Sequence, residues 1–387
     1  MKIIKFLSAV LVLVMVVACL ASCGKSGTTT DDVKAFKIGG IGPLTGGAAI
    51  YGQAALNGAK IAIDEINAKG GKIQFKWNPQ DDEHDAEKSL NAYNTLLDDG
   101  VQAIIGTVTT TPCVAVSAQA NEDRVFMITP SASSEEVVND KDMMYQVCFT
   151  DPNQGIASAD YIAENFADAR IGVIYKNDDA YSQGIRDKFV EEFKAKGLNV
   201  AYEGTFNKST DTDFSVQIKA AKDAGVTLIF LPIYYQPASI ILKQAKDIDY
   251  APIFFGVDGM DGILTQDGFD TSLAEGVYLL TPFSADAEDE STQNFVKKYK
   301  ELYNEVPNQF AADGYDAVYI LYAALEKAGC TADMSAEKIC EALVEVMPTL
   351  KVDGLTGEGM TWDEVGRVSK APRAVVIKDG VYVTPEK

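Results

Sequence analysis

Residues 38–71 read IGGIGPLTGGAAIYGQAALNGAKIAIDEINAKGG, and this stretch decides the fold. Its first residues predict a short buried strand, which leads through a loop of Gly, Pro and Thr into a helix. One apolar helix face is formed by residues spaced three and four apart, namely Leu56, Ala59, Ile63 and Ile66. The helix ends at Gly70-Gly71, because glycine readily supplies the left-handed residue that closes a helix. A strand, loop and helix in this order are typical of an α/β domain, whose loops bind small ligands at the carboxyl edge of the sheet.

The first residues of the chain have the pattern of an export signal. Lys2 and Lys5 precede an apolar run over residues 6–17. A charged start, an apolar centre and a small-residue end are the three parts of a signal peptide. The end of this segment, Leu20-Ala-Ser-Cys23, resembles the bacterial lipoprotein box, in which the cysteine becomes the lipidated first residue.

We therefore expect residues 1–22 to be a lipoprotein signal peptide, Cys23 to carry the lipid and residues 24–35 to be a soluble tether. Two alternatives stay open. The apolar run is almost long enough for a retained transmembrane anchor, and Cys19 also fits the lipoprotein pattern. Each alternative places the folded part outside the cytoplasm.

The composition excludes some classes of partner. The chain has 34 basic and 56 acidic side chains and a net charge of −22. Such acidity argues against nucleic-acid binding, which depends on Lys and Arg contacts with phosphate. Hydrophobic residues make up 47% of the chain, which suffices for sizeable cores in about two domains.

The cysteines permit several pairings. Beyond the leader the chain has Cys113, Cys148, Cys330 and Cys340, and three pairings of these four are open. Cys330 ends one predicted helix and Cys340 lies in the next, so we favour a Cys330–Cys340 bridge. A single histidine gives little support for a zinc site, and we expect no metal and no cofactor.

From residue 36 onward, strand-like runs alternate with helical patterns, which predicts parallel sheets with helices on both faces. The strands are too many for one ordinary sheet, so we expect an α/β fold of two Rossmann-like lobes. Lobe 1 would hold residues 36–152 and 284–360, and lobe 2 would hold residues 153–283 and 361–387. The chain would then cross between the lobes three times, forming a three-stranded hinge that allows closure. A hairpin turn is predicted at Asp379-Gly380.

Two loops that follow lobe-1 strands concentrate hydroxyl groups. In the first, we expect Thr111 to be a helix N-cap and Pro112 to be the first helical residue, which would leave N–H groups free to bind an anion. The second loop carries Ser131 and Ser133. Ser133 and Glu136 also fit a capping box, so capping and ligand binding both stay open for this serine.

Lobe 2 offers the opposite charge. Asp258 follows the predicted strand 252–256 and could hold an ammonium group at the sheet edge, although Asp-Gly is also an ordinary turn. Aromatic side chains that could line a pocket are Tyr51, Tyr181, Tyr235 and Phe310. Each of these aromatic residues alone is also explained by packing.

Together with its other motifs, these loops make the chain resemble the substrate-binding proteins of branched-chain (hydrophobic) amino-acid ABC transporters, which have the type I periplasmic binding protein fold. The resemblance covers residues 36 to about 385. Its most specific motifs are Pro43-Leu-Thr-Gly, Asp64-Glu-Ile-Asn-Ala-Lys-Gly-Gly71, Ile128-Thr-Pro-Ser-Ala132, Tyr235-Gln-Pro, Leu355-Thr-Gly and Thr361-Trp-Asp-Glu364. The resemblance implies an extracytoplasmic, lipid-anchored monomer that captures an amino acid and delivers it to permease subunits.

The resemblance also implies roles for single residues. Thr110 and Ser133 would bind the ligand's carboxylate with help from the backbone of Ser131, and Asp258 would pair with its ammonium group. The best-known relatives often have glutamate in place of this aspartate, which leaves the identity of the ligand open. Tyr51, Tyr181, Tyr235 and Phe310 match aromatic pocket positions. Thr109 stands where some relatives have a disulfide-bonded cysteine, so no such bridge is expected.

The sequence also has to be compared with functions other than transport. The same fold could bind a different small solute, such as an amide, a urea-like compound or an aromatic acid, for transport or for sensing. A Ser-His-Asp hydrolase would have to use His84, the only histidine, and the chain has no Gly-x-Ser-x-Gly motif, so an enzyme is disfavoured. The acids at 81–85 could bind Ca²⁺, but their spacing is not that of an EF-hand, and Asp85 also fits a helix N-cap.

Overall fold

The computed structural model describes residues 34–385, and residues 35–385 form part of a single compact unit. The predicted signal peptide, Cys23 and nearly all of the predicted tether lie outside the described residues. Among residues 34–385, no helix is both long and apolar enough to cross a bilayer.

The strands form two sheets. The strands are β1 (Phe36–Gly42), β2 (Phe75–Asp81), β3 (Ala103–Gly106), β4 (Phe126–Thr129), β5 (Met144–Gln146), β6 (Ile171–Lys176), β7 (Tyr202–Phe206), β8 (Leu228–Leu231), β9 (Ile253–Gly256), β10 (Tyr278–Thr281), β11 (Arg373–Lys378) and β12 (Val381–Val383). The first sheet has the order β2-β1-β3-β4-β5 and is parallel throughout. The second has the order β12-β11-β10-β9-β8-β6-β7, in which only β11 and β12 run antiparallel to their neighbours.

Helices cover the sheets and connect successive strands. The helices are α1 (Ala49–Ala68), α2 (Ala86–Asp98), α3 (Thr110–Asp123), α4 (Asp151–Asn165), α5 (Ala180–Ala195), α6 (Ser215–Asp223), α7 (Tyr235–Asp247), α8 (Glu290–Tyr303), α9 (Gln309–Ala328) and α10 (Ala336–Val346). This is the predicted α/β fold of two lobes, each built on one parallel-rich sheet.

Several local predictions are confirmed. Helix α1 ends at Ala68 and is followed by Gly70 at a φ of 65°. Asp85 caps α2 by accepting from two backbone N–H groups. Asp379 and Gly380 both have positive φ and join β11 to β12 in the predicted hairpin.

Other local predictions are wrong. Helix α3 begins at Thr110 with Thr109 as its N-cap, so Thr111 and Pro112 lie within its first turn. The cap of the short 3₁₀ helix at Glu135–Val137 is Ser134, which accepts from the Glu136 N–H, and not Ser133. In both cases the neighbouring hydroxyl residue takes the position, because several adjacent Ser and Thr residues fit the same capping pattern.

The favoured disulfide is also absent. Cys330 and Cys340, together with Cys113 and Cys148, are free buried thiols. Cys330 and Cys340 pack within the apolar core of the first lobe. Burial there raises the pKa of Cys340 to about 12, so these cysteines serve as small apolar core residues.

The third crossing between the lobes falls later than the sequence placed it. Trp362 packs in the core of the first sheet and donates from its indole N–H to the Gln146 carbonyl at 2.8 Å. Lys370 is buried and pairs with Asp313 of α9 at 2.8 Å. The chain joins the second sheet only at Arg373, so the segment up to Lys370 contacts the first lobe.

Two glycines allow α1 and α9 to pack with their backbones in close contact. A Cβ added at Gly58 would lie 1.8 Å from the Ala311 carbonyl oxygen, and one added at Gly314 would lie 2.0 Å from the Ala55 carbonyl oxygen. Neither helix can carry a side chain at these positions without moving. This contact fixes the first turns of both helices, which carry residues of the site described below.

We expect Gly58→Ala to lower the free energy of unfolding by about 1–3 kcal/mol, because the new methyl group must separate α1 from α9. Gly71→Ala is the matched control, since a Cβ there has no heavy atom within 4 Å. Urea denaturation of both variants gives the comparison. An increase in stability for Gly58→Ala, as helix propensity alone would give, would contradict this packing.

Candidate functional site

The site lies at the point in each sheet where the strand order reverses. Each parallel run has the strand order 2-1-3-4-5 within its lobe, and the topological switch point of such a sheet lies beside its first strand. Loops that follow β1, β3 and β4 of the first lobe meet loops that follow β6, β8 and β9 of the second. The carboxyl edges of the two sheets therefore build one crevice.

A small cavity of about 10 Å³ lies in this crevice. Its described lining is Tyr51, Val108, Thr109, Thr110, Ser131, Tyr181, Tyr234, Asp258, Gly259 and Phe310. Six of the eight predicted ligand residues are in this set. Ser133 and Tyr235 are buried nearby but do not line the cavity.

The first-lobe side of the cavity is a helix N-terminus with hydroxyl groups. Thr110 is the first residue of α3 and is 1% exposed. The N-cap Thr109 makes no side-chain bond to the helix, so its hydroxyl leaves the first N–H groups uncapped. Ser131 donates its hydroxyl to the Val108 carbonyl at 2.5 Å and its N–H to Thr129 Oγ1 at 3.3 Å, so neither of its donors is free for a ligand. The positive end of the helix dipole and the uncapped N–H groups suit an anion.

The second-lobe side is acidic. Asp258 is 3% exposed, and it begins a 3₁₀ turn over Asp258–Met260. Its Oδ1 accepts from the Tyr181 hydroxyl at 2.6 Å, and its N–H donates to Gln154 Oε1 at 3.1 Å. Burial raises the pKa of Asp258 to about 7, although the side chains of Tyr181 and Gln154 and the Gly259 N–H lower it. None of the described lining residues is Lys or Arg, so a cation in the cavity would stabilise this carboxylate.

A second buried acid lies near the first. Asp151, at the start of α4, is 1% exposed, and neither carboxylate oxygen has a partner in hydrogen-bonding geometry. Burial and the charge of Asp258 raise the pKa of Asp151 well above its usual range, while the nearby Ser133 hydroxyl lowers it. The Ser133 Oγ is itself buried without a partner in bonding geometry. Asp151 was missed by sequence reasoning, because its position after a short strand carried no motif.

Aromatic rings close the cavity, and one of them differs from the prediction. Tyr234 stacks on Tyr181 with ring centres 4.8 Å apart and contacts Tyr51 at 5.3 Å. Phe310 packs on Tyr51 at 4.6 Å. Tyr234 is the residue immediately before α7, so it, and not its neighbour Tyr235, points into the cavity. The Tyr-Tyr doublet was visible in the sequence, but which ring faces inward depends on where the helix begins.

Tyr51 joins the two lobes directly. It lies in the first turn of α1, and its hydroxyl donates to the Gly259 carbonyl of the second lobe. The same hydroxyl accepts from the Tyr235 N–H at 3.0 Å. Tyr235 therefore contributes to the site through its backbone. The crevice is closed in this structure, and the closed form is held by hydrogen bonds between the lobes.

The single histidine belongs to the crevice wall. His84 Nδ1 is 2.9 Å from Thr109 Oγ1, and its ring packs edge-on against Tyr234 with centres 5.6 Å apart. Burial, together with the charges of Lys176 and Lys208, lowers the pKa of His84 to about 4. His84 is therefore neutral at physiological pH and packs between the lobes.

The neighbouring acids have structural partners. Asp81 accepts from the Leu44 N–H at 2.8 Å and from the Thr45 hydroxyl at 2.7 Å. Asp85 caps α2. Within residues 34–385, no three His, Cys, Asp or Glu side chains form a group that could hold a metal ion.

Comparison with known proteins identifies relatives along nearly the whole chain. The family model described as periplasmic binding protein matches residues 35–380. The leucine-, isoleucine-, valine-, threonine- and alanine-binding protein of Pseudomonas aeruginosa is 29% identical over 313 residues, which cover 80% of this chain and 82% of the relative.

Two solved structures have the same architecture. The leucine-binding protein LivK of Thermotoga maritima is 29% identical with a TM-score of 0.80, and the match covers 91% of this chain and 98% of that one. The branched-chain amino acid transporter substrate-binding protein LivJ of Streptococcus pneumoniae, solved in complex with isoleucine, is 27% identical with a TM-score of 0.80. That match covers 91% of this chain and 100% of the other.

We expect the imidazole of His84 to titrate with a midpoint near pH 4, because the closed crevice buries it and two lysines repel its charged form. The lowered pKa means that His84 stabilises the closed fold fully above about pH 6.5, and that this contribution is lost as the pH falls towards 4. Proton NMR measures the titration without assignment, since the chain has one histidine. A midpoint close to 6.5 would show that the imidazole is solvated.

Proposed function

We propose that this chain, which belongs to the periplasmic binding protein family, captures an amino acid between its two lobes and delivers it to the permease of an ABC transporter. A branched-chain or other hydrophobic amino acid is the proposed ligand. The proposal rests on one observation: the two sides of one closed cavity favour ligand groups of opposite charge. The Asp258 carboxylate faces it from the second lobe, and the N-terminus of α3 faces it from the first.

The ligand's carboxylate would bind at the first-lobe side. The Thr110 hydroxyl and the N–H groups of the first turn of α3 are the donors available there, whereas the Ser131 N–H already donates to Thr129 Oγ1 at 3.3 Å. Charge-assisted hydrogen bonds of this kind contribute roughly 1.5–3 kcal/mol each. Because the described lining contains no Lys or Arg, these neutral donors would hold the carboxylate without neutralising the Asp258 charge that the ammonium group needs.

The ligand's ammonium group would bind at Asp258. A buried carboxylate without a positive partner is costly, and its pKa of about 7 expresses that cost. An ammonium group removes the cost and pairs with the carboxylate directly. A zwitterion therefore satisfies both sides of the cavity, while a simple acid or a simple amine satisfies one.

The apolar part of the ligand would contact the rings. Tyr51, Tyr181, Tyr234 and Phe310 surround the cavity together with Val108. Burial of one apolar side chain contributes about 1.5–3 kcal/mol, and a micromolar site needs about 8 kcal/mol in total. The relatives from Pseudomonas, Thermotoga and Streptococcus are described as binding proteins for leucine, isoleucine and similar amino acids, which supports this ligand class.

A small amide is the second candidate. A carboxyl group with a pKa of about 7 is partly protonated at neutral pH, so Asp258 could also donate to a neutral carbonyl. Such a ligand would have no need of an ammonium group. The same lobes and the same closure would then serve a different solute, for transport or for sensing.

We further propose that the protein works outside the cytoplasm as a monomer held to the membrane by a lipid on Cys23. The leader pattern of the first 23 residues supports this location, and so does the family to which the chain belongs.

A thermal-shift screen of the purified protein against the twenty amino acids, small amides and organic acids tests the function. Ligand at about 100 times its dissociation constant should stabilise the protein by about 2.7 kcal/mol, a clear rise in melting temperature. We expect the shift to be confined to a few apolar amino acids. A response to amides or acids alone would contradict the zwitterion site while leaving the solute-binding role in place.

We expect Asp258→Asn to weaken amino-acid binding by a factor of roughly 30 or more, because the ammonium group then enters a buried site without its counter-charge. The melting temperature of the ligand-free protein should not fall, since the change removes a costly buried charge. Asp267→Asn, at an exposed position in the same lobe, is the control for isothermal titration calorimetry. Unchanged affinity in Asp258→Asn would remove this residue from the site.

A further inference from the structure

A second-lobe loop docks directly on a first-lobe helix beside the ligand cavity. The loop covers residues 258–262 after β9, and the helix is α9, which packs on α1 in the first lobe. Asp258 and Gly259 of this loop line the cavity, whereas Asp261 does not. Asp261 is nevertheless 3% exposed, which raises the question of what buries it.

Asp261 is buried against the N-terminus of α9. Its Oδ2 accepts from the Gln309 N–H at 2.9 Å, and Gln309 is the first residue of the helix. The Gln309 side chain returns across the same gap, because its Nε2 donates to the Asp258 carbonyl at 3.1 Å. Burial raises the pKa of Asp261 to about 6, against the lowering effect of the Gln309 N–H, so the carboxylate is mostly ionised at neutral pH. A negative charge at a helix N-terminus is favourable.

Tight packing surrounds these bonds. A Cβ added at Gly262 would lie 2.6 Å from Ile50 Cγ2 in α1, and Gly262 has a φ of 99°. The next residue of α9 after Gln309 is Phe310, which packs on Tyr51 over the ligand cavity. The bond to Asp261 therefore holds the first turn of α9 at the place where it completes the cavity wall.

We propose that Asp261 is a positioning residue that latches the lobes together by binding the N-terminus of α9, and that it sets the closed fraction of the protein without contacting the ligand. The latch consists of Asp261 and Gln309. It exists only in the closed form, because its two residues belong to different lobes. The closed form can therefore gain stability from protein contacts alone, before any contribution from a ligand.

The latch has a different signature from a ligand contact. A residue that acts only on the open–closed equilibrium changes the apparent affinity for every ligand by the same factor, since each ligand binds the same closed state. Loss of the latch should also speed ligand release, because the closed state opens more readily. A ligand contact such as Asp258 would instead discriminate between ligands that have and lack an ammonium group. The affinity readout rests on the proposed function, whereas the closed fraction does not.

Four variants separate loss of the latch from a nonspecific loss of stability. Asp261→Ala removes the acceptor. Gln309→Pro removes the N–H donor at the first helical position, where proline is well tolerated, and Asn308 before it has a φ of −89° and a ψ of −179° that suit a residue preceding proline. Gln309→Ala keeps the N–H and removes only the side-chain bond. Asp267→Ala, at an exposed position in the same lobe, is the matched control.

We expect Asp261→Ala and Gln309→Pro to weaken the binding of leucine, valine and alanine by one common factor, roughly tenfold or more. The change should lie in the dissociation rate measured by stopped-flow fluorescence. Small-angle X-ray scattering of the ligand-free protein should show a larger radius of gyration for both variants. The double variant should bind amino acids no more weakly than either single variant. Gln309→Ala should lose less affinity than Gln309→Pro.

The proposal is overturned if the loss of affinity differs between ligands, if it occurs without a change in the radius of gyration, or if the two changes add in the double variant. If Asp261→Ala fails to fold, the comparison of Gln309→Pro with Gln309→Ala tests the latch by itself, because only the proline variant lacks the N–H that donates to Asp261. If the unmodified protein binds no amino acid, the proposed function fails. The scattering comparison of the ligand-free variants still tests the latch in that case.

Discussion

The burial of the Asp258 carboxylate between two lobes, without a positive side chain in the described lining, is the constraint on which the rest of the site depends. Transfer of an unpaired carboxylate from water into a protein interior is unfavourable. The hydrogen bond from the Tyr181 hydroxyl offsets part of that cost, yet the pKa stays near 7. Closure is thus opposed by the charge of the empty site, and a ligand that carries a cation removes the opposition.

The fold places this carboxylate where a ligand can reach it. Both lobes have their topological switch point at the crevice, so loops after successive strands converge there from two sides. The close backbone contact of α1 with α9, permitted by Gly58 and Gly314, fixes Tyr51 and Phe310 above the cavity. The positions of the aromatic walls thus depend on a glycine contact remote from the ligand.

Much of this could be predicted from the sequence, because strand and helix periods depend on local spacing. The alternation of strands and helices, the glycine end of α1 and six of the described lining residues needed no tertiary information. The helix start at Thr110, the inward-facing Tyr234 and the free thiol of Cys330 were missed, since each depends on a shift of one residue or on packing partners distant in sequence. The burial of Asp151 and the bond between Asp261 and Gln309 are likewise invisible to local patterns, because both depend on segments that are distant in sequence.

Under the proposed function, the loop 258–262 contacts both the ligand and the first lobe, which would couple ligand binding to closure of the lobes. The side chain of Asp258 faces the ligand cavity, while its carbonyl accepts from Gln309 and the next carbonyl accepts from Tyr51. The loop therefore cannot reach the first lobe without burying the Asp258 carboxylate. The interlobe bonds favour closure, whereas the buried charge opposes it. The ammonium group of the proposed ligand would cancel the opposing contribution, and the existing interlobe bonds would then add their full stabilisation to the closed, loaded state.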